Sequence, residues 1–296
     1  AGNLFSTQAT SGAGSKNVGI AGSFAINLID TGAYAGLGAG ATVTLTGADR
    51  AVLLDAHAIT TSIAKALPDG VAGSADATVG IGASIAINIA ANRAIAEIGA
   101  DASLLGASDV GLSASGEFVA ETEASAGSAG GVSLTPAMAL SLINNTTAAR
   151  LASGAALTAS GSVSLGAVQQ ASTTTTASGE AAGSTAAIGA ALAIALVNDN
   201  VSATTARSIG AGGAVNLGAS GASFSVLSAK ASATGGAADS EEGGDEEGVD
   251  KLVDSKLASA QTKQSDAGVG DADQQAATEA GVADGESRSA STSEGG

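Results

Sequence analysis

The chain repeats one short phrase four times, and this repetition constrains its fold more than any other feature. The phrase is Ala-Gly-Ser, and each copy precedes an apolar, alternating segment that reaches an asparagine. Successive glycines of the phrase are 59, 54 and 56 residues apart, and successive asparagines are 61, 56 and 54 apart. Two markers that keep the same pace predict four imperfect repeats, at about 14–72, 73–126, 127–182 and 183–235. The repeat markers are Gly14, Gly73, Gly127, Gly183, Asn27, Asn88, Asn144 and Asn198.

Within each repeat the residues alternate with a period of two, which is typical of β-strands. In the second repeat Ile85, Ile87 and Ile89 project to one side, while serine, alanine and asparagine project to the other. Glycine, asparagine and aspartate separate such segments, so we expect several strands in each repeat. A second alternating marker, Val-x-Leu-x-Ala, begins at Val52, Val110, Val163 and Val215.

Alanine-rich helices are the competing interpretation, because alanine is the strongest helix former. Glycine recurs every few residues, however, and costs about 1 kcal/mol at each interior helical site relative to alanine. Thr173–Thr176 adds a run of β-branched residues, which also disfavours a helix. We therefore predict an all-β fold, with a helix left open for residues 186–197, where period and composition disagree.

The composition favours a thin core. Only 2% of the 296 residues are aromatic, so the large side chains that fill globular cores are scarce. Small side chains suit closely stacked backbones, in which each repeat covers the open edge of its neighbour. We predict a β-solenoid over residues 1–236. We expect two or three coils per repeat, and therefore a rod of roughly 50 Å.

The net charge of −17 is concentrated in the last sixty residues. Residues 237–296 carry 15 acidic and 4 basic side chains, and the rest of the chain carries 13 and 7. Few large apolar groups are present there to offset the ordering entropy, so we predict a disordered, acidic, low-complexity tail or linker. Within it, residues 249–260 could form a short helix, with a solvated linker as the alternative.

Composition and charge also exclude classes of partner. An acidic chain without a basic stripe repels phosphate backbones, so no nucleic-acid partner is expected. The longest apolar stretches, 79–91 and 186–197, are shorter than the ~20 residues of a spanning helix, so no membrane span is predicted. The absence of cysteine excludes disulfides and thiolate zinc sites. The first residues lack a signal peptide, and we interpret the chain as an excised or processed piece.

Residues with catalytic or metal-binding chemistry are few and scattered. His57 is the only histidine, so a Ser-His-Asp triad would need it together with a carboxylate such as Asp55. We interpret these two residues instead as a surface pair near a turn. Glu121 and Glu123 are best explained as a solvated strand face. No catalytic, cofactor or metal site and no enzyme activity are predicted, although calcium binding at residues 271–273 of the tail is an alternative. We expect the repeating asparagines to hydrogen-bond to backbone groups.

Residues 18–27 and 79–88, with 94–99 after them, resemble the repeats of very large bacterial exoproteins of the filamentous haemagglutinin and leukotoxin type. The likeness covers about residues 10–236. The resemblance implies a right-handed parallel β-helix, export across a Gram-negative envelope, often by two-partner secretion, and a role as a surface adhesin or rod.

Repeats and resemblance together predict a structural β-solenoid segment of a giant secreted or cell-surface adhesin-like protein. Its expected partners are neighbouring repeats of the same chain or fibre, and a host or neighbouring cell surface. The alternative is a binding module whose lateral face recognises glycans, ice or a cell surface. An enzyme such as a polysaccharide lyase ranks third, because the expected cluster of Asp, Arg and Lys is missing.

Overall fold

The fold is described from a computed structural model, in which residues 2–47, 50–70, 72–73 and 77–235 are described. These residues belong to one compact unit, Ala1–Ala237, and form an all-β structure of parallel strands that contains no helix in the described ranges. Residues 186–197, where a helix was left open, lie within a strand. The predicted tail, with its alternative helix and candidate calcium ligands, lies outside the described residues. The strands are β1 (Gly2–Ser11), β2 (Val18–Leu37), β3 (Thr42–Thr44), β4 (Val52–Pro68), β5 (Val79–Ile98), β6 (Ser103–Leu105), β7 (Val110–Leu151), β8 (Leu157–Ala159), β9 (Val163–Thr205), β10 (Ile209–Ala211) and β11 (Val215–Thr234).

Neighbouring repeats pair in parallel, and the Val-x-Leu-x-Ala marker sets their register. Val52 pairs with Val110, Val110 pairs with Val163, and Val163 pairs with Val215. The pairing therefore advances by 58, 53 and 52 residues, which is one repeat at each step. A repeat that covers its neighbour's edge in this way is what a stacked repeat architecture requires.

The long strands form two stacks. The first stack contains, in spatial order, β1, β4, residues 110–130 of β7, residues 163–183 of β9, and β11. The second stack contains β2, β5, residues 132–151 of β7, and residues 186–205 of β9. Each repeat adds one strand to each stack, so the expectation of two or three coils per repeat is wrong. Five strands at the usual parallel spacing extend roughly 20 Å, not 50 Å.

The chain reverses direction between the two stacks, and their inner faces lie against each other. Ser141 in the second stack donates a hydrogen bond to Thr122 Oγ1 in the first at 2.7 Å. Thr147 likewise donates to Gln169 Oε1 at 2.9 Å. At the equivalent reversal of the preceding repeat, Gly73 has a φ of 84°, and a Cβ there would lie 2.4 Å from the Ala129 carbonyl oxygen. Only glycine combines that conformation with that close approach.

Small side chains fill the space between the stacks. In the second stack Ala25, Ala86, Ala139 and Ala193 are paired in register and pack as one row. This packing is consistent with the thin core expected from the composition, because methyl groups fill a narrow space without voids. The row packs against matching alanines of the first stack, Ala9, Ala66, Ala124 and Ala177.

Four short strands lie between the second stack and the next strand of the first. β3 pairs with β6, and β8 pairs with β10, again in parallel. The core widens here and contains the larger aliphatic side chains, which include Ile98, Leu104, Leu112, Leu151, Leu157 and Leu165.

One buried arginine forms hydrogen bonds to the turns that precede these short strands. Arg207 is 8% exposed, and its guanidinium donates to the carbonyl oxygens of Ala152 at 2.6 Å and Ala102 at 2.7 Å. It also donates to the carbonyl oxygens of Gly99 at 2.7 Å and Ser153 at 3.1 Å. A side chain of the fourth repeat therefore satisfies backbone acceptors of the two repeats before it.

Candidate functional site

The acidic and histidine side chains that were considered as catalytic candidates lie on the outer surface of the first stack. Asp55 and His57 are exposed on the same face of β4. Glu121 and Glu123 share the Lys65 ammonium group of the neighbouring strand, at 2.5 and 3.1 Å. Within the described part of the chain, no three His, Cys, Asp or Glu side chains are grouped closely enough to hold a metal ion.

The ion pairs have local electrostatic effects. The hydrogen bond from Lys65 to Glu121 raises the pKa of the lysine above its ordinary value, although burial opposes this change. Burial raises the pKa of the Tyr34 phenol, and the nearby carboxylate of Glu97 raises it further. Both groups keep their ordinary protonation state at neutral pH, so these contacts are structural.

The asparagine markers occupy two different positions. Asn27 and Asn88 pair in register and are buried between the stacks. Asn88 accepts a hydrogen bond from the Ser62 hydroxyl at 2.8 Å and donates to the carbonyl oxygens of Ser62 and Glu121 at 3.1 and 3.2 Å. Its side chain thus joins the two stacks through backbone groups, as buried polar groups generally must.

Asn144 and Asn198 also pair with each other, but their side chains point outward. Asn198 donates to Asn144 Oδ1 at 3.2 Å on the exposed surface. The register position of Asn144 corresponds to Ala91, three residues after Asn88. The four asparagines are therefore two structurally distinct pairs.

The glycine markers lie near the reversals between stacks without sharing one register position. Gly183 pairs with Gly130, whereas Gly127 pairs with Glu180. The Gly73 amide donates to the carbonyl oxygen of the residue before Gly14, at 2.8 Å. Gly127 lines a cavity of about 10 Å³, which is no larger than one water molecule requires.

The most unusual surface is the outer side of the second stack. The outward positions of residues 18–28, 79–89, 132–142 and 186–196 carry large aliphatic side chains, while alanine, serine and asparagine point inward. No residue in these four segments is charged. We call this surface the apolar face. Its outward residues are Val18, Ile20, Gly22, Phe24, Ile26 and Leu28 of β2; Val79, Ile81, Ala83, Ile85, Ile87 and Ile89 of β5; Val132, Leu134, Pro136, Met138, Leu140 and Leu142 of β7; and Ala186, Ile188, Ala190, Leu192, Ile194 and Leu196 of β9.

In-register pairing arranges the apolar face in columns that cross all four strands. The column that ends in Leu28 and Leu196 consists of large side chains. The next column, from Asp30 to Asn198, consists of smaller and more polar side chains. A shallow groove follows the boundary between these two columns. A second groove follows the column of small residues that includes Ala83, Pro136 and Ala190.

Charged residues begin at the edge of the apolar face. Asp30 forms an ion pair with Arg93, and Glu97 accepts a hydrogen bond from Arg150 at 3.0 Å. Both signs are present in this rim, so it carries no strong field of one sign. An uncharged apolar centre with a mixed polar rim is the usual anatomy of a protein interface.

Sequence reasoning identified the alternation but not this surface. The isoleucines of β5 were expected on one side of a strand and the small residues on the other, and the structure confirms that division. The apolar face could have been predicted from the composition, in which small residues and large aliphatic residues share the same strands. If a thin core accepts only small side chains, the large aliphatic residues of the same strands must lie outside.

The chain matches no protein-family model, no curated protein and no solved structure. Among the described residues, no helix has the length and apolar character needed to cross a membrane.

Proposed function

We propose that residues 1–236 are a structural segment, a parallel β-solenoid in which each repeat forms one coil. One observation carries the proposal: the valine markers of successive repeats pair in register along the whole first stack. Each coil would consist of a strand of the first stack, a strand of the second stack and a short strand. Coupling between adjacent coils through long parallel strands would make the segment resistant to extension.

The ends of the stacks support a role within a longer assembly. In the described residues, β11 and the second half of β9 each have one unpaired edge, and so do β1 and β2 at the opposite end. Exposed edges of long parallel strands are templates for further pairing. Neighbouring repeats of a giant chain or fibre are the partners that such edges fit.

The cellular setting follows from the sequence resemblance. The segment would belong to an adhesin-like protein that is secreted by, or displayed on, a Gram-negative bacterium. Here the segment positions other modules and performs no reaction.

The apolar face favours lateral binding as a second candidate function. Aliphatic side chains dominate this face, whereas sugar recognition uses aromatic side chains and the face contributes only Phe24. Regular threonine rows, which an ice-binding surface would need, do not occur among its outward residues. Of the lateral ligands expected from the sequence, a protein on a cell surface therefore fits better than a glycan or ice.

Single-molecule force spectroscopy tests the structural proposal. A solenoid that opens coil by coil should release one repeat per event, or about 20 nm of chain for 52–58 residues. Several such events at similar force are expected when the full chain is pulled from its ends. Release of the whole segment in a single step, or extension without measurable resistance, would refute the proposed mechanical role.

A further inference from the structure

In the strands of the apolar face, the large aliphatic side chains point outward and the small or polar side chains are buried, which reverses the usual arrangement. Leu28 and Leu196 occupy the same column at opposite ends of the second stack, and they are 74% and 60% exposed. Beneath them the strands bury serine, asparagine and alanine. Exposed aliphatic surface of this extent is costly in water, and contiguous patches of several hundred Å² mark interaction sites.

The size of the face agrees with a stable protein interface. Four parallel strands at about 4.8 Å, over eleven residues at about 3.3 Å each, give an area of roughly 700 Å². A standard protein interface buries about 800 Å² per partner. One partner that covered the whole face would therefore form an interface of ordinary size.

We infer that the apolar face packs on the same face of a second copy of this chain, in a two-fold symmetric dimer. A two-fold axis joins identical patches, so the patch must be complementary to itself. The face meets this requirement, because the column of small residues with Ala83, Pro136 and Ala190 forms a groove between columns of large ones. A ridge of one copy can enter the groove of the other, with the two sheets about 10 Å apart.

Charge favours this face over the rest of the surface for contact with a second copy. The whole chain carries a net charge of −17, and two such chains would repel each other across most surfaces. The apolar face contains no charged residue, so it can approach its own copy without like-charge repulsion at short range. The ion pairs Asp30 with Arg93 and Glu97 with Arg150 would lie in the solvated rim.

A lipid surface fits the same face less well. Protein surfaces that lie on membranes combine apolar residues with lysine and arginine on the flanks, and with tryptophan or tyrosine at the interface. The chain contains no tryptophan and a single tyrosine, and its excess charge is negative. These features oppose binding to an anionic membrane.

Two matched double variants test the dimer. Leu28→Glu with Leu196→Glu places charges on the apolar face. Leu53→Glu with Phe224→Glu makes the same type of change on the outer side of the first stack, where these residues are 70% and 65% exposed. Leu28, Leu196 and Phe224 lie on strands with an unpaired edge, and Leu53 precedes the part of β4 that pairs with β1. Assembly through strand edges would therefore respond to both variants. Circular dichroism of each variant verifies that the β-structure is retained.

Sedimentation velocity over a concentration series provides the measurement. The full chain and the first-stack variant should form a closed dimer of twice the chain mass. The apolar-face variant should raise the dissociation constant by at least about tenfold. A monomeric full chain up to about 100 µM, an equal response of both variants, or an open-ended series of larger species overturns the inference. So does binding of a monomeric chain to phosphatidylcholine vesicles that the apolar-face variant abolishes.

Discussion

Replacing Arg207 by methionine should strongly destabilise the fold. The side chain donates four hydrogen bonds to backbone carbonyls of two preceding repeats, at 2.6 to 3.1 Å. Methionine keeps part of the apolar stem but provides no donor, so the carbonyl oxygens of Ala102 and Ala152 lose their partner. The carbonyl oxygens of Gly99 and Ser153 keep backbone N–H donors at 3.2 and 2.9 Å. No other residue of the fourth repeat makes as many bonds to earlier repeats among the hydrogen bonds described above.

The magnitude follows from two opposing contributions. The two carbonyls left unsatisfied cost about 1–3 kcal/mol each, and each of the two bonds to carbonyls that keep a backbone donor contributes less, so the loss is about 4 kcal/mol. Removing the buried guanidinium also removes its desolvation penalty, which returns part of that loss. We expect a net destabilisation of about 3 kcal/mol, a large share of the 5–15 kcal/mol typical of a folded domain.

Guanidinium denaturation followed by circular dichroism measures this difference, and hydrogen exchange locates it. Exchange should accelerate most at residues 99–102 and 152–154, where the acceptors lie. Lys230→Met is the control, because within the described residues Lys230 makes one exposed ion pair, with Glu180 at 3.4 Å. This substitution should cost under about 1 kcal/mol. If Arg207→Met costs less than 1 kcal/mol, the inferred link between three repeats is refuted.

Three further predictions concern the core and the ion pairs. Asn88→Ala should cost about 2–3 kcal/mol in a denaturation experiment, because it removes three buried hydrogen bonds and leaves the Ser62 hydroxyl without its acceptor; a loss below 0.5 kcal/mol would contradict this role. Ala139→Leu should cost about 3 kcal/mol by overpacking the alanine row, whereas the outward Ala91→Leu should be tolerated, and similar melting temperatures for both would be inconsistent with the packing. Lys65→Met should cost under about 1 kcal/mol and less in high salt. Because the pKa of Lys65 is raised in the folded state, its contribution should persist below pH 10.5 and disappear as the pH rises further, so a loss on acidification to pH 7 would contradict it.

In the first stack, the marker that combines several residue types coincides with the observed register. Val-x-Leu-x-Ala constrains both faces of a strand at once, so Val110 and Val163 could be aligned without ambiguity. A single asparagine does not have this property. Asn88 is buried and Asn144 is exposed, because asparagine is compatible both with an inner hydrogen-bond network and with solvent.

The number of coils per repeat was mispredicted because a coil was assumed to take about 20–25 residues, and because glycines were interpreted as turns. Many of them lie inside long strands, where they permit close approach of backbones. A Cβ at Gly82 would lie 2.3 Å from the carbonyl oxygen of Gly127 in the facing stack. Sequence alone does not distinguish a glycine that turns the chain from one that admits a neighbouring strand, so strand lengths were underestimated.

The apolar face could not be predicted from the alternation of residues alone. A period of two assigns Ile87 and Asn88 to opposite sides of β5, but it does not say which side is inside. The usual rule would bury the isoleucine. The opposite arrangement results from the narrow space between the stacks, which is a property of the assembled repeats and not of any one strand.

The distance between equivalent positions in the first and fourth repeats tests the central claim that each repeat forms one rung. Asp30 and Asn198 share an outward column, three strand spacings apart. The chain has no cysteine, so Asp30→Cys with Asn198→Cys provides two unique sites for nitroxide labels. In samples diluted with unlabelled protein, electron paramagnetic resonance should show dipolar broadening from backbones about 14 Å apart. A separation of about 30 Å or more, as two coils per repeat would produce, contradicts the account.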